Sequence, residues 1–195
     1  MNQKHKELIQ DVVQWGRDKR IKVPIKQTLK TVSEAGEIAE AIENNFLELS
    51  IGDFSSVDVN KMHDLIDAIG DTQVCLIILR DILCLDQGIP DMYGKLPKSK
   101  SSGYVYRIAF RVLSDIGKLS DAVCKSNLED YEEILISDTT IDNYTEIVIR
   151  IDELEDTLSY FISLLGLEQH APLEFAYNVI SKRKGKIING TLVKD

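Results

Sequence analysis

The stretch Ser33-Glu34-Ala35-Gly36-Glu37-Ile38-Ala39-Glu40-Ala41-Ile42 decides how this chain is read. Ile38 and Ile42 recur at helical spacing, and Glu34 and Glu37, three apart, become neighbours on one face of that helix. Some thirty residues on, Asp64-Leu65-Ile66-Asp67-Ala68-Ile69-Gly70-Asp71 repeats the pattern, with its aspartates spaced by three and by four. Each stripe repels itself, so a metal-free surface gains nothing from the clustering. Two stripes facing each other across a bundle supply the oxygen ligands that a hard divalent cation such as Mg²⁺ requires. The plainer reading is a pair of solvated faces on acidic helices, and charge spacing alone leaves both readings open.

Outward from these two stretches the periodicity is helical almost throughout, so the expected fold is an all-α bundle. Leu8, Ile9, Val12, Val13 and Trp15 mark a first helix ending near Arg17–Arg20. Pro24 is expected to close the following loop. A second helix is predicted over Ile25–Leu49, with Leu29, Val32, Ile38 and Ile42 as its apolar positions. Ser50–Val57 reads as a linker, and a third helix runs from Val59 to Leu85. The C-terminal half of that helix, Val74 to Leu79, is apolar on every side and must be buried. Residues 86–103, with two prolines, three glycines and the run Lys98-Ser99-Lys100-Ser101-Ser102, form the clearest linker. Helices are predicted to resume at Tyr104–Lys125, Asn143–Leu165 and Leu173–Lys182, with a short turn near Glu129–Leu135. In the tail from Lys186 to Val193, Asn189-Gly190 between β-branched residues signals a β-hairpin.

A chain of 195 residues with 44% hydrophobic content can bury a core of its own. The polar start from Asn2 to Glu7 argues against a signal peptide, and no apolar run approaches a membrane span. The three cysteines, Cys75, Cys84 and Cys124, lack metal or redox spacing, so they read as reduced, mostly buried thiols of a cytoplasmic protein. The net charge of −9 is unevenly spread. Residues 1–33 hold eight Lys/Arg against three acids, residues 181–195 five against one, and the stretch between them ten against twenty-eight. Basic ends on an acidic body argue against nucleic-acid binding by the whole chain. They fit an anionic ligand combined with a metal in the acidic part, and equally arms that fold back for charge complementarity.

The halves of the chain also match each other. Ser33–Ile42 aligns with Ser114–Val123, eighty-one residues on, and Ile66–Thr72 aligns with Ile151–Thr157, eighty-five on. The match suggests two helical hairpins packed as a pseudo-dimer: residues 1–85, a linker over 86–103, and a degenerate copy over 104–195, in one compact domain. Lys118 stands where Glu37 stands, so the second copy has exchanged a ligand for a cation, and one metal site per chain is expected.

With these residues in place, the run Pro24-x-x-Gln27-x-x-Lys30-x-x-x-Glu34-x-x-Glu37, followed by Asp67-x-x-x-Asp71, resembles the MazG-like all-α nucleoside triphosphate pyrophosphohydrolases. The segment Ala176 to Lys186, with Asn189-Gly190 and Val193-Lys194 behind it, resembles the end of the bacteriophage-type members, and similar tandem copies occur in the related all-α dUTPases. The resemblance covers residues 8–85 and 158–195. It implies Mg²⁺-dependent hydrolysis between the α- and β-phosphates of an NTP or dNTP, giving a monophosphate and pyrophosphate, with Mn²⁺ able to substitute. By position it implies Glu34, Glu37 and Asp71 as metal ligands. The family's second-motif glutamate falls on Ala68, and Asp67 on the same helix face stands in for it, with Asp64 as the alternative. Ser33 replaces the first of the usual paired glutamates.

The residue types suit that chemistry. Glu37 or Glu40 can orient a water as base, and Lys182, Arg183, Lys184 and Lys186 can neutralise a leaving pyrophosphate. Lys30 and Asn178 can meet the substrate, Gln27 can offer donor and acceptor to a base edge, and Trp15 or Tyr177 can stack on it. For Trp15 a core anchor is the favoured alternative, and for Asn178 a helix-surface amide. A di-iron carboxylate bundle needs Glu-x-x-His, and none of His5, His63 or His170 follows a glutamate by three. A non-catalytic helical adaptor remains the competing class. Self-association is expected wherever apolar helix faces stay exposed.

Overall fold

The computed structural model describes residues 3–46, 59–87, 102–126, 138–183, 185–188 and 191–194. Six helices follow in order: α1 (Gln3–Asp18), α2 (Pro24–Phe46), α3 (Val59–Ile82), α4 (Ser102–Lys125), α5 (Asp138–Leu164) and α6 (Ala171–Ile180). Pro24 opens α2, where its missing N–H costs nothing and its fixed φ suits the first turn; it does not close the loop before it. Strand β1 (Gly185–Ile188) pairs antiparallel with β2 (Thr191–Lys194). Asn189-Gly190, the expected linker at 50–57 and the expected turn at 129–135 lie outside the described residues. Gly103, read as linker, belongs to α4, and α5 starts five residues before the predicted Asn143.

Two antiparallel hairpins make the larger core. Gln27 Nε2 on α2 donates to the Cys75 carbonyl of α3 at 3.1 Å, while Glu34, further along α2, senses Asp71, earlier on α3. Those two crossings run in opposite chain directions, so α2 and α3 are antiparallel. In the second hairpin Thr157 Oγ1 of α5 donates to Asp115 Oδ2 of α4 at 2.8 Å, and Asn143 Nδ2 reaches the Lys125 carbonyl at 3.4 Å. The hairpins join where α2 packs along α4. Ala35, Ile38, Leu65, Ile69, Leu119, Ile151 and Phe161 meet in the shared interior.

A smaller core lies on the other side of α3, where Val74, Ile77, Ile78 and Ile82 meet Leu8, Ile9 and Val12 of α1 and Leu173, Ala176 and Ile180 of α6. Because α3 carries a core on two sides, its run from Val74 to Leu79 is buried throughout. Two of the apolar positions of α2 lie at the surface: Leu29 is 65% and Val32 38% exposed. Both lie on the α2 face turned away from α3 and α4. Of the cysteines, Cys75 is buried, whereas Cys84 and Cys124 are exposed, against the expectation of mostly buried thiols.

Candidate functional site

The two acidic stripes meet where α2 crosses α3. The α2 face that turns to α3 repeats through Gln27, Thr31, Glu34 and Ile38, all buried. Thr31 settles its hydroxyl on the Gln27 carbonyl at 2.8 Å. Glu34 is therefore carried into the interface with 3% of its surface exposed. Glu37 and Glu40, one and two turns on, reach the exposed edge, while Asp67 and Asp71 stand half-buried on α3.

The charges of these groups act on one another. Burial, then the neighbouring Glu34 and Asp67 carboxylates, push Asp71 up to about 6, while Arg183 and Lys30 pull it back. Burial and Glu34 likewise raise Glu37, which also feels Asp67 and Glu40 and is lowered by Lys30. Lys30 forms an ion pair with Glu34 Oε1 one turn along α2. Burial lowers the Lys30 ammonium, but its hydrogen bond and charge contact with Glu34, with Glu37 behind, leave it above its ordinary value. Asp71 Oδ1 is buried and accepts no hydrogen bond among the described residues.

The remaining expected residues divide. Arg183, just beyond α6, is half-buried and close enough to act on Asp71. This brings one cation of the C-terminal segment to the acidic crossing. Lys182 and Asn178 are exposed, and Lys186 stands on β1, its side chain outside the described residues. Asp64 is exposed near the start of α3. Gln27, expected to read a base edge, is turned inward, with its amide committed to α3. Trp15 and Tyr177 pack against the smaller core. Tyr177 feels Asp11 and Asp18 of α1, not the α2 carboxylates. A groove of about 580 Å³ between α1 and the end of α3, lined by Lys6, Gln10, Arg17 and Asp81, contains none of the expected site residues.

Sequence reasoning passed over two polar clusters. Arg80, at the end of the apolar run of α3, is 4% exposed and reaches across to α5, pairing with Asp152 and bidentately with Glu155 at 2.9 and 2.7 Å. A basic residue closing an otherwise apolar, doubly buried stretch was the signal for it. His5 of α1 and His170, which precedes α6, are both buried with ring centroids 6.4 Å apart. His5 lines a cavity of about 40 Å³ together with Gln73, Arg80 and Glu155.

The donor set at the α2–α3 crossing is hard carboxylate oxygen, which suits Mg²⁺ or Mn²⁺. Among the described residues, however, no three His, Cys, Asp or Glu side chains stand gathered in metal-holding geometry. Nor is any described helix long and apolar enough to cross a membrane. No family model matches the chain, and neither a curated protein nor a solved structure matches it.

Proposed function

We propose that this protein is a Mg²⁺-dependent nucleoside triphosphate pyrophosphohydrolase that cleaves an NTP or dNTP to the monophosphate and pyrophosphate. One observation carries the reading: Glu34, Glu37, Asp67 and Asp71, from two helices, sense one another's charge at a crossing that Arg183 also approaches. Clustered, mutually repelling carboxylates are costly unless a cation joins them, and a triphosphate needs both the cation and a basic flank.

A bound Mg²⁺ would supply charge stabilisation on the phosphates and a more acidic water. Glu34, Glu37, Asp67 and Asp71 would hold it. Glu37 or Glu40, at the exposed edge, would accept the proton from the attacking water. Arg183 and Lys182 would neutralise the pyrophosphate as it leaves, with Lys186 further along. Gln27 serves this site indirectly, by fixing the register of α2 on α3 and hence the height at which Glu34 meets Asp71.

The second hairpin is a degenerate copy that gives packing and no metal site. What supports this is that Asp115, aligned with Glu34, sits equally deep but is occupied by Lys118 at 2.8 Å and by Thr157, which aligns with Thr72. Exposed Leu29, Val32, Phe110 and Leu113 support further self-association. Three free thiols are consistent with a reducing, cytoplasmic setting. The alternative, a non-catalytic helical bundle, is favoured by the absence of a preassembled metal group among the described residues. Incubation of Mg²⁺ and a panel of canonical, deoxy and modified triphosphates, with products resolved, separates the two. Monophosphate plus pyrophosphate that disappears in Glu37→Gln supports the enzyme, and no turnover across the panel supports the bundle.

A further inference from the structure

The acidic crossing carries a cation of its own. Lys30 sits one turn before Glu34, its side chain 55% exposed while that of Glu34 is 4% exposed, and the two are paired. The ammonium thus reaches from the surface down to the most buried carboxylate of the set. Its charge also extends to Glu37 on the same helix and to Asp71 on the opposite one. A positive charge within reach of three carboxylates takes part of the electrostatic place of a metal.

The second hairpin shows the same device taken further. Arg111 stands four residues before Asp115, as Lys30 stands before Glu34, with its Nε 3.7 Å from Asp115 Oδ2. Lys118 adds a second cation 2.8 Å from Oδ1. At the position of Lys118 the first hairpin has an acid, Glu37. Asp115 is thus closed by two cations. At the α2–α3 crossing Glu34 is paired with Lys30, Arg183 acts on Asp71, and one buried Asp71 oxygen accepts no hydrogen bond among the described residues.

We propose that Lys30 is a built-in counter-ion: it holds Glu34 in the metal-free protein, must release it when Mg²⁺ or Mn²⁺ enters, and then offers its ammonium to the phosphates of the substrate. This rests on the proposed metal site and deepens it, because it makes Lys30 a competitor of the metal and a partner of the nucleotide. It also accounts for a carboxylate set that is close in charge but not gathered: Glu34 is turned to Lys30.

The test is direct Mn²⁺ binding, without nucleotide, to the full chain and its Lys30→Met, Lys30→Gln and Glu34→Gln variants, followed by triphosphate affinity at saturating Mn²⁺. Removing the competing ammonium is expected to tighten Mn²⁺ about tenfold in both Lys30 variants, the scale of one partly exposed charge contact. Triphosphate binding should weaken in the same variants, and Glu34→Gln should lose Mn²⁺. If the wild-type protein binds Mn²⁺ and Glu34→Gln does not, while both Lys30 variants bind it no more tightly than wild type, the counter-ion role is overturned and the metal site stands. If neither the wild-type chain nor either Lys30 variant binds Mn²⁺, the metal site falls and the inference with it.

Discussion

At the scale of single residues, burial decides which charges matter. His5 is 5% exposed, and burial, then the nearby His170, lower it from 6.5 to about 4. Between those pH values the unfolded chain binds the proton and the folded one does not, so this group removes stability as pH falls from 6.5 towards 4, by at most about 3 kcal/mol. Glu168 and Glu174 also face His170, and Lys4 pairs with Glu174. Asp71 acts in the opposite sense, since its raised pKa favours the fold as pH drops through about 6. The quantity to measure is therefore the difference in unfolding free energy between wild type and His5→Gln. That difference should shift in favour of the variant on acidification, and a constant difference from pH 7 to pH 4 would show that His5 is not held neutral. Arg80 gives a second residue-scale expectation. Arg80→Met strands Glu155 in the interior and should cost about 3 kcal/mol in denaturant unfolding, whereas Lys125→Ala, which breaks a pair exposed on both sides, should leave the midpoint unmoved. Gln27 illustrates the limit of reading residues one at a time. Its polarity pointed to a ligand, but its position, seven residues before Glu34 on the buried face, gives its amide a backbone carbonyl instead.

At the scale of elements, helix positions were legible and helix ends less so. The 3.6-residue period survives in the sequence wherever one face is buried, which is why all six helices could be expected near their observed places. Three ends are set by a backbone motif with little sequence signature. In each, an N–H bonds five residues back, from Ile21 to Gly16, Leu85 to Arg80 and Leu167 to Ile162. The left-handed residue it requires is glycine only at Gly166; at the other two ends it is Arg20 and Cys84. Leu29 and Val32 show a related limit: periodicity identifies apolar positions but does not say whether a neighbour covers them. Gly70 marks a close approach of α3 to α6, since a Cβ there would lie 2.1 Å from the Pro172 carbonyl oxygen and 2.8 Å from the Ala176 Cβ. Backbone cannot yield as a flexible side chain can, so Gly70→Ala must push α6 off α3. A loss of about 3 kcal/mol is expected in denaturant unfolding. Because α6 leads into Arg183, any residual activity of this variant should fall more than its stability loss alone explains.

At the scale of the whole molecule, α3 is the shared wall of two cores, one holding the hairpins together and the other anchoring α1 and α6. That arrangement brings Arg183 to an acidic crossing contributed by residues more than a hundred positions earlier. The charge asymmetry of the sequence was the legible trace of it. The side-chain geometry was not legible, because the carboxylates are not gathered in a preassembled set. If the second hairpin is closed by Arg111 and Lys118, calorimetric titration with a non-hydrolysable triphosphate and Mg²⁺ should give one site per chain, and two equivalent sites would overturn that assignment. The central claim meets its most direct test in product analysis of wild-type protein and Glu37→Gln with Mg²⁺ and the triphosphate panel. The account predicts monophosphate and pyrophosphate from at least one substrate, reduced by a factor of about a hundred or more in the variant, the scale of losing an essential acid–base or metal-holding carboxylate. Orthophosphate as the product, or equal turnover by Glu37→Gln, would contradict it.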